Sequence, residues 1–111
     1  MTNQRTHPRS TISWRAALVE AGKRNIIHAR AIEISQSGAG LLSDEALPIG
    51  MRYQLFLEVT DPARGSRQAI ELACQVVHST LVGNISQFRS GVRFTSQSQA
   101  LQAVLARLRP Q

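Results

Sequence analysis

Sulfur, aromatic surface and long apolar runs are all scarce in this chain of 111 residues. Cys74 is the single cysteine, so no internal disulfide can form. It falls among the alternating apolar positions of an expected strand, with no basic or ligating neighbours, and reads as a small buried hydrophobe. Aromatic residues make up only 5% of the chain, which leaves few platforms on which bases could stack. No apolar run approaches the roughly 18 residues of a membrane span, and the opening MTNQRTHPRS lacks the apolar centre of a secretory signal. The expectation is a cytoplasmic protein with no membrane insertion. Zinc-spaced His/Cys clusters, a strand-to-helix phosphate loop and a Ser-His-Asp signature are also missing, and the acids Asp44, Glu45, Glu58, Asp61 and Glu71 are scattered over loops and strands. These gaps argue against an enzyme and against a metal cofactor.

What the chain does have is positive charge. Thirteen Lys and Arg stand against seven Asp and Glu, a net +6, and Arg5, Arg9, Arg15, Lys23, Arg24 and Arg30 precede position 31 with only Glu20 to oppose them. An anionic partner follows, although nucleic acid, an acidic membrane surface and a small phosphorylated ligand satisfy that statement equally. With 42% apolar and 18% charged residues, the composition suits one soluble domain with one core.

Alternation of apolar and polar residues marks a series of strands. Residues 1–10 show no periodicity and contain Pro8, which suggests a flexible arm before a domain over 11–111. Ile12 to Val19 forms a first strand with Trp14 in the core, and Ala21 to Asn25 turns into a second strand, Ile26 to Ser35. There Ile32 and Ile34 are expected to face one way, and Ala31, Glu33 and Ser35 the other. Leu41 and Leu42 continue a third strand. Met51 to Thr60 is a fourth, with Tyr53, Leu55, Leu57 and Val59 inward and Phe56 outward. Asp61 to Ser66 is a turn. Ile70, Leu72, Cys74 and Val76 mark a fifth strand running to about His78, and Phe88, Ser90, Val92 and Phe94 mark a sixth. Ala100, Leu101, Val104, Leu105 and Leu108 then follow helical spacing; Ser96 with Gln99 suggests a capping box, which places a helix at about 96–109. Six strands joined by hairpin-type turns favour a mainly β, six-stranded antiparallel barrel with a C-terminal helix.

Two stretches gather the chemistry. Arg5 and Arg9 lie four residues apart, roughly 13 Å at most between Cα atoms in an extended arm, so both can reach around one bulky ligand. Guanidinium groups suit phosphate oxygens or the O6/N7 edge of guanine, and their flat faces stack on bases. Glu33 and Ser35 present a carboxylate and a hydroxyl at a strand end. Two glycines follow, Gly38 and Gly40, which let the chain turn sharply or another backbone come close. Since a strand rather than a helix follows them, they do not form a dinucleotide-binding turn.

Taken together, Arg5-x-x-x-Arg9, Glu33-x-Ser35-x-x-Gly38 and Gly91-Val92-Arg93-Phe94 before a C-terminal helix resemble the PilZ domain, whose hallmarks are RxxxR and [D/N]xSxxG. The resemblance covers nearly the whole chain and suggests a stand-alone member of that family. It implies a six-stranded split barrel that binds the bacterial second messenger cyclic di-GMP (c-di-GMP), with Arg5, Arg9, Glu33, Ser35 and Gly38 as ligand-binding residues. It also implies an arm that orders over the ligand and relays the signal to a downstream protein partner. Glu33 departs from the pattern, which has Asp or Asn there; it keeps the charge and adds one methylene. A PilZ-like protein-interaction module that has lost the nucleotide is the alternative that this departure supports, and a basic barrel for RNA or single-stranded DNA is the weaker third.

Overall fold

The computed structural model describes residues 9–61 and 64–108. Six strands, β1 (Ser10–Val19), β2 (Ile26–Ile34), β3 (Gly38–Ser43), β4 (Arg52–Thr60), β5 (Arg67–Val82) and β6 (Gln87–Phe94), precede one helix, α1 (Gln99–Leu105). The strands close into a barrel in the order β1-β2-β3-β6-β5-β4, with every neighbouring pair antiparallel. Closure leaves the ring without an outermost strand, so the backbone ladders satisfy one another.

The interior is filled by the alternating positions that the sequence marks. Tyr53, Leu55, Leu57 and Val59 from β4 meet Ile70, Leu72, Cys74 and Val76 from β5, with Trp14, Leu18, Leu41 and Val92 opposite. Phe56 faces outward as expected. Cys74 is fully buried, and burial pushes its thiol up to about 11, so it packs as a hydrophobe with little thiolate character.

Strand β2 departs from simple alternation. Ala31 and Ile34 are the buried residues, while Ile32, expected inside, is half-buried. The register against β3 slips between Ala31 and Glu33, and that against β1 slips between Thr11 and Trp14. An extra residue in a strand reverses which side chains point inward beyond it, so Ala31 and Ile34 both reach the core and Glu33 stays outside. A third slip, between Val76 and His78 on β5, does the same for His78, which lies outside opposite Gly91.

Three boundaries also differ from expectation. Strand β1 begins at Ser10, buried and in register with Ile34, so Ser10 belongs to the barrel and not to the arm. Strand β5 runs on to Val82, because its second half pairs with β6 after its first half has paired with β4. The helix is shorter than 96–109. Ser98 is its N-cap and accepts from the Leu101 amide at 3.1 Å, whereas the Ser96 hydroxyl accepts from the Ala73 amide at 2.9 Å and is spent on the sheet. Past Leu105 the chain tightens into bonds of Arg107 to Val104 and Leu108 to Leu105. Leu101 and Val104 join the core, and Arg107 pairs with the buried Asp61 carboxylate at 2.7 Å, fixing the helix to the end of β4.

Candidate functional site

The strand end after Ile34 is a four-residue turn held by Ser35. Its amide donates to the Gly38 carbonyl at 2.9 Å, and its hydroxyl accepts from the amides of Ser37 and Gly38 at 3.3 and 3.2 Å. The same hydroxyl lies 3.3 Å from the Gly38 carbonyl, its acceptor within the turn. Side-chain bonds to the local backbone are the usual work of serine in turns, and here they set the angle at which β3 leaves β2. Gly38 is needed for a different reason. It pairs with Arg93 on β6, and a Cβ there would run into the carbonyl oxygen of Val92. Bare backbone is what lets β3 approach β6 at this point.

Glu33 stands on the outer face at the slip in β2. Its Oε1 receives Arg9 Nη1 at 3.3 Å and Arg89 Nη2 at 2.7 Å, so two guanidinium groups converge on one carboxylate oxygen. The Arg89 pair is short and charge-assisted, the Arg9 pair looser, and all three side chains keep contact with water. Reaching Arg89 requires Glu33 to cross β3, and Gly40 makes this feasible: a Cβ on Gly40 would stand 3.2 Å from Glu33 Oε1 and 3.5 Å from its Cβ.

These side chains line a cavity of about 340 Å³ on the outside of the barrel. Arg9 and Glu33 form one wall, the Ser35–Gly38 turn one end, and Arg89, Arg93 and His78 the wall contributed by β6 and β5. With His78 neutral, three arginines against one carboxylate leave two positive charges in excess in the lining. The arrangement suits a compact anion with polar edges.

Of the residues singled out from sequence, Arg9, Glu33, Ser35 and Gly38 come together here, and Arg5 lies outside the described residues. Arg89, Arg93 and His78 were not assigned to the site from sequence. Arg93 stood in a quoted motif, and Arg89 is two residues before Gly91, on the same outward set of β6; strand alternation carried that signal, but a charged outward residue reads first as a solvated surface. Among the described residues no group of three His, Cys, Asp or Glu could hold a metal ion, and no helix is long and apolar enough to cross a membrane.

A family model for the PilZ domain matches residues 3–109. Among solved structures, the barrel is similar to the Bacillus subtilis inhibitor of motility (MotI/DgrA), with a TM-score of 0.75 and 14% identity over 96% of this chain and 49% of that one. It is similar to Escherichia coli YcgR in complex with c-di-GMP, with a TM-score of 0.70 and 20% identity over 96% of this chain and 44% of that one. The PilZ domain of YcgR with c-di-GMP matches with a TM-score of 0.62 and 19% identity, over 95% of this chain and 88% of that one. At these identities the likeness is one of fold, and the chain spans about half the length of the first two structures. No curated protein sequence matches.

Proposed function

The chain belongs to the PilZ domain family, and from that premise we propose that it is a receptor for c-di-GMP whose site is the cavity over β2, β3, β6 and β5, beside Arg9. The observation that supports this most is the meeting of Arg9 with Glu33, 24 residues apart in sequence, over a cavity that Ser35 and Gly38 also line. The first arginine of the RxxxR pattern, Arg5, lies four residues before Arg9 and is assigned here by that pattern. The ligand carries two phosphodiester charges, equal to the excess positive charge of the lining, and two guanines whose donor edges a carboxylate can accept. Arg9 grips a phosphate or guanine edge, Glu33 accepts from guanine N1–H and N2–H, and Ser35 and Gly38 hold the turn that forms the end wall. Ligand capture then changes the surface around Arg9 that a protein partner meets, and that change is the relay.

The alternative of a protein-interaction module draws on one observation: Glu33 has two arginine partners within the chain itself. Calorimetric titration with c-di-GMP decides between them. The receptor reading expects micromolar or tighter binding by the natural chain, weakened at least about tenfold in Arg9→Ala through the loss of a charge-assisted contact. No heat from the natural chain, with binding gained by Glu33→Asp, selects the interaction module.

A further inference from the structure

One row of residues crosses four strands on the outer face of the barrel: Glu33 on β2, Gly40 on β3, Gly91 on β6 and His78 on β5, each in register with the next. The two central positions are bare backbone, and the outer two lean inward over them. Glu33 occupies the space that a Cβ on Gly40 would take, and a Cβ on Gly91 would run into the imidazole of His78. Arg89 and Arg93 flank Gly91 along β6, about 13 Å apart at the usual rise of a strand. Glu33 and Arg89 thus lie over the same bare strip and satisfy each other at 2.7 Å.

Resting on the receptor reading, we propose that Arg89 and His78 form a second binding wall of this site, Arg89 taking a phosphodiester of the dinucleotide and His78 a guanine edge across the Gly40–Gly91 strip. The exchange balances partner by partner. The phosphate replaces the carboxylate on Arg89, and the guanine donors replace the guanidinium on Glu33, so neither charged group is left unpaired when the ligand enters. Arg89 suits the role because its guanidinium can meet two phosphate oxygens at once, and the glycines because unsubstituted backbone lets a flat ring approach the sheet.

Calorimetry with c-di-GMP on Arg89→Ala, Arg89→Lys and His78→Ala tests this, each variant first checked for an unchanged melting temperature. Arg89→Ala is expected to weaken binding at least about tenfold, Arg89→Lys by less, and His78→Ala about threefold or more. Repeating Arg89→Ala in a Glu33→Ala background separates contact from positioning: a direct contact keeps its loss, and a residue that acts only through Glu33 loses its effect. In labelled protein, the Gly40 and Gly91 amide signals should shift on ligand addition. Natural-like binding by Arg89→Ala, tighter binding by it, or no loss in the Glu33→Ala background overturns the second wall and leaves the receptor reading standing. Failure of the natural chain to bind overturns both.

Discussion

Replacing Gly38 with alanine is expected to damage the barrel rather than the ligand site. The added Cβ meets the Val92 carbonyl, a backbone atom that no rotamer change can move aside. Val92 is buried, and β6 is held on its far side by β5, so relief requires β3 to draw back from a ladder running from Gly38–Arg93 to Ser43–Phe88. Overpacking of this kind costs about 1–3 kcal/mol, and backbone against backbone belongs at the upper end. For a domain of this size, each kcal/mol lowers the melting temperature by about 4–8 °C, so Gly38→Ala should melt roughly 10–15 °C below the natural chain. Gly40→Ala is the control: its Cβ meets the Glu33 side chain at 3.2 Å, which can rotate away, and the expected cost is below about 1 kcal/mol. Differential scanning calorimetry without ligand measures both. Equal melting temperatures for Gly38→Ala and the natural chain would refute the close approach of β3 and β6. The glycine of the ExSxxG stretch would then have to be explained by the ligand.

Other outcomes follow from the core and the helix. Burial raises the Cys74 thiol from 9.0 to about 11, so between those values the unfolded chain holds fewer protons than the folded one. The contribution is complete below pH 9 and is lost as pH rises toward 11, up to about 3 kcal/mol; alkaline denaturant titrations should show the fall, reduced in Cys74→Ala. Tyr53, raised mainly by burial and then by Glu20, works in the same direction. Arg107→Ala removes the 2.7 Å partner of the buried Asp61 carboxylate and should cost about 1–3 kcal/mol in urea unfolding, whereas Arg67→Ala, whose 3.7 Å pair with Glu58 is exposed, should cost almost nothing.

The sequence was most readable where side-chain period alone decides structure. Strand β4 and the first half of β5 bury the residues that alternation selects, because each lies in an unbroken ladder with its neighbour. Strand β2 was misread at Ala31 and Ile32, since a slipped register is a property of two strands together and leaves no mark on either one's hydropathy. The helix start was misplaced for a chemical reason: the Ser96 hydroxyl is spent on the Ala73 amide, and Ser98, which was not considered, caps the helix instead. In the site, Arg9 and Glu33 were found through a motif, but Arg89 was not. Its partner is 56 residues away, and only the β2-β3-β6 order brings the two together.

The shared oxygen of Glu33 also says something about how the site comes into being during folding. A β1–β2 hairpin holds Arg9 and Glu33 but not Arg89; a β5–β6 hairpin holds His78, Gly91 and Arg89 but not Glu33. No local piece of the chain contains the cavity, so it belongs to the assembled ring and waits on contacts far apart in sequence, the slow kind to form. A ligand that binds there therefore stabilises the whole barrel against unfolding rather than one hairpin, by about 2.7 kcal/mol at a hundred times its dissociation constant. Occupancy and topology become a single cooperative equilibrium, in which amide hydrogen exchange slows in strands that never touch the ligand.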